Sequence, residues 1–241
     1  MIQARAVGGL PEVQPGDDLA ALIAGAEPDL RPTDVVVVAH KVVSKAEGRV
    51  VRLAEVEPSA QARDLAADED PRRLEVILRE STRIVRTRPP LVIAETRHGF
   101  VCASAGVDAS NAPDAEMVVL LPEDPDASAA RLRDRLRQLT GADVAVIVSD
   151  SFGRAWRQGT TDVAIGCAGL RPLLDLHGER DAAGYELHAT VIAVADELAG
   201  AAELVKGKLD GVPAAVVRGF DRRGEGTARE VVMPPERDLF R

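Results

Sequence analysis

Aromatic side chains are the scarcest ingredient of this sequence. Phe100, Phe152, Phe220, Phe240, Trp156 and Tyr185 are all there are, 2% of 241 residues. A stacking platform for single-stranded nucleic acid needs more rings, interleaved with Lys or Arg. Positive charge is also short, with 30 Lys and Arg against 39 Asp and Glu, a net charge of −9. That balance opposes nucleic-acid binding through phosphate neutralisation. The two cysteines, Cys102 and Cys167, match no Cys-x-x-Cys spacing and read as buried, reduced thiols. No apolar run approaches the ~20 residues that cross a bilayer, and MIQARAVGGLPEV lacks the basic start and apolar stretch of a signal peptide. The expectation is a cytoplasmic protein with neither nucleic-acid nor membrane partner.

Several catalytic signatures are missing too. There is no G-x-x-x-x-G-K-[ST], and Gly224-Glu225-Gly226 lacks the third glycine of the dinucleotide fingerprint. No Ser occupies a G-x-S-x-G elbow, and His40, His98, His177 and His188 are scattered without helical metal-ligand spacing.

What is present is a globular composition, 46% hydrophobic and 29% charged, with enough chain for one large domain or two small ones. Short apolar runs at Val35–Ala39, Leu91–Ala94, Val144–Val148 and Ala214–Val217 read as buried strands. Helical spacing follows Asp17 (Leu19, Leu22, Ile23), follows Pro71 (Leu74, Ile77, Leu78), and spans Asp126–Leu139 and Thr190–Val205, with Gly207 placed to stop the last. Arg131, Arg133, Arg135 and Arg137 read as a solvated helix surface. The stretch from His98 to Val119 reads as strands and turns without a helix, and Met233–Arg241 as a loosely held tail. These patterns predict a mixed α+β fold. LPEDPD at 121–126 marks either a subdomain break or a helix start.

Four segments have chemical potential. Asp150 follows the strand VAVIV through Ser149, at an expected strand end, and SDSFGRAWRQG continues with Ser151, Arg154 and Arg157. Asp108 lies in SAGVDASN, ahead of Ser110 and Asn111. Hard divalent cations take one or two carboxylates plus hydroxyl and phosphate oxygens, and two converging loops would supply them. Capping of turns is the competing reading. Lys41, Lys45 and Arg49 follow the strand VVVVA, as phosphate-directed charges or as exposed loop lysines. KGKLDGVP, 206–213, offers glycines for close backbone approach to an anion, or merely ends a helix.

Taken together, GLPEVQPGDDL, HKVVSKAEGR, SAGVDASN, VSDSFGR with RQG, and GVPAAVVRG closely resemble the coenzyme F420-0:L-glutamate ligase family, in the family's order and over nearly the whole chain. The resemblance implies an α+β ligase fold of two interleaved subdomains spanning 1–241, an intertwined homodimer, and use of GTP to join L-glutamate to coenzyme F420-0 and extend a γ-linked tail. It implies two divalent cations, Mg²⁺ or Mn²⁺, together with K⁺. Asp108 and Asp150 fall on metal-binding positions and Ser151 on an adjacent metal-contacting hydroxyl. Leu10, Pro11, Glu12 and Val13 fall on a GTP-contacting segment, and Lys45 and Asn111 on GTP contacts. His40 stands where relatives often have a small hydroxyl residue that contacts the nucleotide. Many actinobacterial relatives fuse this unit to a nitroreductase-like domain, which is not expected in these residues.

The implied chemistry is coherent. A carboxylate is a poor acyl donor, so amide formation requires activation, here by γ-phosphoryl transfer to give an acyl phosphate. Asp108, Asp150 and Ser151 would hold the cations that neutralise the transferring group, and Lys45 would add charge. Arg154, with Arg157, would hold an anionic substrate at the catalytic centre or stand in a solvated turn. A metal-dependent GTP phosphohydrolase and a non-catalytic nucleotide- or deazaflavin-binding module are the rival functions.

Overall fold

The computed structural model describes residues 1–239; Phe240 and Arg241, the end of the expected loose tail, lie outside them. In chain order the elements begin with β1 (Gln3–Val7), α1 (Leu19–Ala26), β2 (Asp34–Ala39), α2 (His40–Ala46) and β3 (Val50–Arg52). Next come α3 (Ala60–Ala66), α4 (Pro71–Glu80), β4 (Ser81–Arg88), β5 (Leu91–Thr96), β6 (Val101–Ala103) and β7 (Met117–Val119). The chain continues through α5 (Pro125–Thr140), β8 (Ala145–Arg154), β9 (Arg157–Ala168), β10 (Leu173–Asp175), β11 (Val191–Ala193), α6 (Val194–Lys206) and β12 (Ala214–Arg218).

A five-stranded sheet, ordered β1-β12-β2-β8-β9, is the spine. Only β2 and β8 run parallel; the other neighbours are antiparallel. The Val-rich runs form central strands because both of their faces are covered, which removes the need for polar alternation. Val36, Val38, Val146, Val148 and Val216 pack with Leu19, Ile23, Ala129, Leu132 and Leu136 of α1 and α5. Val35, Val37, Ile147, Ala215 and Val217 face the other way, against Leu198, Ala199 and Ala202 of α6. A third core, built within 53–120 from Leu74, Ile77, Val92, Val107 and Val118 among others, joins α3 and α4 to the sheet β4-β5-β6. Helices and mixed sheets together make the fold α+β, as the composition and pattern imply.

Several local expectations shift. Asp18, not Asp17, caps α1, its carboxylate accepting from Ala21 N at 3.1 Å, while Asp17 accepts from Gln14 N at 2.7 Å. Thr190–Val205 is not one helix. Val191 and Ile192, with β-branched side chains suited to a strand, pair with β10, and α6 starts at Val194 with Asp196 and Glu197 in its first turn, where the helix dipole favours acids. β8 does not stop at Val148; it runs on as a hairpin with β9 to Arg154. The 98–119 stretch has no α-helix, only a 3₁₀ turn at Ser104–Gly106 between short strands. Asp124 caps α5 ahead of Pro125, so 121–124 leads directly into that helix. Its arginines meet carboxylates: Arg131 with Glu47, Arg133 with Asp143, Arg135 with Asp18 and Arg137 with Asp134.

α5 crosses β9 at Gly166, where an added Cβ would stand 2.2 Å from the Pro125 carbonyl oxygen. Backbone cannot yield there as a flexible side chain would. Gly166→Ala should therefore destabilise the protein by about 1–3 kcal/mol, the usual cost of overpacking, measured by urea unfolding. Burial pushes the Cys102 and Cys167 thiols up to about 12. Both should resist alkylation at pH 8 in the folded protein and react once it unfolds. Because an unfolded thiol ionises near ~8.5, stability should hold below that pH and fall as pH rises toward 12.

Candidate functional site

The parallel register of β2 with β8 pairs Ala39 with Ser149. Whatever follows these two residues is therefore carried to the same place. His40 opens α2, and Asp150 lies one residue past the end of the β2 pairing. Their side chains meet with His40 Nε2 3.3 Å from Asp150 Oδ1, off the line of a hydrogen bond. His40 is buried and neither ring nitrogen has a hydrogen-bond partner. A register shift between Val148 and Ser149 adds an extra β9 residue at this level. Such bulges twist a strand and re-aim its side chains.

A cleft opens here, and most residues singled out in the sequence line it: Leu10, Pro11, Glu12 and Val13 from the loop after β1, His40 and Lys45 from α2, Asn111, Asp150 and Ser151. Lys45 is buried, and its ammonium meets Glu12 Oε1 at 2.5 Å. Asn111 holds φ +57°, a left-handed conformation that Asn tolerates better than most residues. Asp108 stands just outside the lining and is joined to it through Lys41. The Lys41 ammonium lies 2.7 Å from Asp108 Oδ2 and donates to Ser110 Oγ at 2.5 Å and Asn111 Oδ1 at 3.4 Å. Burial raises the Asp108 carboxyl, yet the Lys41 ammonium and the Ser110 N–H hold it below the usual carboxylate range. Asp108 and Asp150 thus contact the consecutive residues Lys41 and His40. Arg154 is not brought in. It sits exposed at the β8–β9 hairpin tip, donating at 3.5 Å to the Gln158 carbonyl.

The structure adds residues the sequence did not single out. Asp162 on β9 is paired in register with Ser151 and buried against Lys206, 2.7 Å away. Ser149 and Glu203 line the same wall. Burial raises the Asp162 carboxyl, but the Lys206 charge and the hydrogen bonds from Lys206, Ser151 and Ser149 hold it below the ordinary value. Only the hairpin pairing reveals Asp162, because ten residues of largely polar and turn sequence separate it from Ser151. The 206–213 segment does converge on the cleft, with Lys206, Gly207, Lys208, Gly211, Val212 and Pro213 on its wall. Gly207 takes φ +63° with ψ −179° there, a backbone conformation essentially reserved for glycine.

Among the described residues, no three His, Cys, Asp or Glu side chains form a metal centre by themselves. The donors at hand are hard oxygens, namely the Asp150 carboxylate, whose Oδ2 takes no part in the contacts above, the Ser151 hydroxyl, and Asp108 beyond Lys41. Mg²⁺ and Mn²⁺ characteristically use one or two carboxylates and complete their shell with water and substrate phosphates. The donor set fits a cation that arrives with a phosphate ligand, and the unbonded His40 nitrogens leave polar capacity at the same wall.

Fold and cleft define an α+β protein with a polar small-molecule site of both signs, in which ammonium groups and carboxylates alternate. The comparisons specify the family. The model for F420-0:gamma-glutamyl ligase matches residues 9–219, and the chain belongs to that family. Proteins called coenzyme F420:L-glutamate ligase are similar along their length. The one from Methanopyrus kandleri is 50% identical over 98% of this chain and 100% of its own. Those from Methanothermobacter thermautotrophicus and Haloarcula marismortui are 46% and 44% identical, over 98% of this chain and 97% and 94% of theirs. No helix among the described residues is long and apolar enough to cross a membrane.

Lys206 and Asp162 are both buried, with side-chain exposures of 4% and 6%. Lys206→Met would strand a buried carboxylate and should cost about 3–5 kcal/mol, read by denaturant unfolding. Lys208→Ala, at the exposed end of the same cluster, should leave stability within about 0.5 kcal/mol.

Proposed function

We infer that the chain is a GTP-dependent ligase that joins L-glutamate to coenzyme F420-0 and extends the γ-linked tail. The supporting observation is that the segments at 10–13, 40–45, 111, 150–151 and 206–213, distant in sequence, line one cleft in a chain half identical to a named ligase over its length. Four lysines, Lys41, Lys45, Lys206 and Lys208, ring this cleft in a protein of net charge −9. That local concentration suits a polyphosphate, because nearby groups rather than total charge set a site's potential.

In this reading Leu10–Val13, His40, Lys45 and Asn111 hold the nucleotide, and Lys45 exchanges Glu12 for phosphate oxygen. Asp108, Asp150 and Ser151 would hold divalent cations, which supply charge neutralisation on the transferring phosphoryl group. The acceptor carboxylate takes the γ-phosphoryl group of GTP, releasing GDP. The unprotonated amine of glutamate then attacks the acyl carbon. The resulting oxyanion re-forms the carbonyl, phosphate departs with the electron pair of the broken C–O bond, and the nitrogen gives up a proton to the phosphate or to water. The chain's task is positioning and charge placement, which dominate phosphoryl transfer. Arg154, out on the hairpin tip, is assigned to the anionic acceptor, for which a guanidinium is suited. A requirement for K⁺, a homodimer and a cytoplasmic location belong to the same reading; light scattering checks the dimer.

The decisive experiment incubates the protein with GTP, Mn²⁺, L-glutamate and coenzyme F420-0 and seeks products heavier by successive glutamyl units in mass spectra. Phosphate released from GTP without acceptor or glutamate would indicate a phosphohydrolase, and GTP binding with no product a non-catalytic module; either overturns the reading. Asp150→Asn should lower turnover at least about a hundredfold with the thermal midpoint nearly unchanged. Lys45→Ala should weaken GTP binding by about tenfold or more, given what charged hydrogen bonds contribute, measured by calorimetry.

A further inference from the structure

The wall of the cleft formed by β8, β9 and the end of α6 carries an unbroken hydrogen-bond chain. Lys206 Nζ donates to Asp162 Oδ2 at 2.7 Å and to Ser149 Oγ at 2.8 Å. Ser149 Oγ lies 2.8 Å from Asp162 Oδ2, and Ser151 Oγ lies 2.7 Å from Asp162 Oδ1. Lys208 Nζ donates to Ser151 Oγ at 2.7 Å. The Asp162 backbone N–H donates to Glu203 Oε2 at 2.8 Å, fixing the aspartate to α6.

The directions of these bonds follow from donor and acceptor capacity. An ammonium only donates and a carboxylate only accepts, whereas a hydroxyl carries one proton and two lone pairs. Ser151 stands between the Lys208 ammonium and the Asp162 carboxylate, so its proton must point to Asp162 and its lone pairs toward Lys208 and the cleft. Ser149 is ordered in the same sense between Lys206 and Asp162.

We propose that Asp162 is a positioning residue that fixes the polarity of Ser151, committing the Ser151 proton to the interior so that the hydroxyl presents only lone pairs to the cleft. A Ser151 so ordered accepts from cations: the Lys208 ammonium in the free protein, and a divalent cation carried by a nucleotide in the proposed reaction. Lys208 and that cation compete for one oxygen, and arrival of the cation releases Lys208 toward phosphate. This inference rests on the metal–nucleotide reading of the cleft. It goes beyond that reading in giving an acidic residue with no place among the cation's ligands control over one of them.

Asp162→Asn tests it sharply. The Asn amide nitrogen cannot face the donor-only Lys206 ammonium, so its oxygen turns to Lys206 and its NH₂ to Ser151. Ser151 then accepts from the amide, and its own proton is turned toward the cleft. Mn²⁺ binding is titrated by water-proton relaxation in the presence of a saturating non-hydrolysable GTP analogue. The expected result is about tenfold or greater weakening in Asp162→Asn, the scale of losses from groups that orient metal ligands. Ser151→Ala should weaken Mn²⁺ similarly, and the double variant should be no weaker than Ser151→Ala alone. A folded Asp162→Asn protein with wild-type Mn²⁺ affinity, beside a weakened Ser151→Ala, overturns the inference and leaves the metal reading standing. Unchanged affinity in Ser151→Ala overturns the metal contact itself and the inference with it. Should Asp162→Asn not fold, Lys208→Ala decides. Removing the competing ammonium should leave Mn²⁺ affinity equal or tighter, and weaker binding would overturn the proposed polarity.

Discussion

One pairing register governs the architecture of the site. β2 and β8 are the only parallel neighbours in the five-stranded sheet, and Ala39 is set opposite Ser149. Parallel strands end on the same side, and the groups just beyond them converge there, which is why sites in such sheets gather at strand carboxyl ends. His40 and Lys41 leave one strand as Asp150 and Ser151 continue along the other, bringing an imidazole, an ammonium, a carboxylate and a hydroxyl within reach of one another. A slip of one residue would turn every side chain of the strand to the opposite face. Val36 and Val38 pack into one core and Val35 and Val37 into the other, so both faces of the strand are buried.

The same sheet explains how the cleft tolerates so many buried charges. Lys45, Lys206 and Asp162 are all buried, and burial of a lone ion is costly. Each is therefore paired, Lys45 with Glu12 and Lys206 with Asp162. The two pairs differ in a way that matters for function. Glu12 is exposed and Lys45 is not, so in the proposed reading a phosphate would displace Glu12 at small cost. Asp162 and Lys206 are hidden together and further tied by Ser149 and Ser151, so this pair holds geometry rather than exchanging partners. Exchangeable and fixed charges thus share one cleft.

The segment 50–120 reaches the cleft through Asn111, with Asp108 and Ser110 beside it. It has its own core, yet Asp108, Ser110 and Asn111 return to Lys41 on α2. Asp108 is anchored by reciprocal backbone hydrogen bonds, at 3.0 and 2.8 Å, with Val119, the last residue of β7. The position of this carboxylate is therefore set by packing in a different core from the one that sets Asp150.

Much was legible in the linear order of residues. Runs such as VVVVA and AVIV read as buried strands, and the structure covers them on both faces. Pro71 announced a helix start, and the family pattern singled out Leu10–Val13, His40, Lys45, Asn111, Asp150 and Ser151, because motif residues are local and period reports burial. Local pattern did not reveal that β8 continues past Ser149, that Val191–Ala193 leaves the expected helix to pair with β10, or that Asp162 is the partner of Ser151. Pairing between strands is decided by packing across the sheet, which has no counterpart in neighbouring residues. For the same reason the chain alone named the chemical groups, while tertiary structure decided which of them meet, leaving Arg154 on a hairpin tip and placing Asp162 at the centre.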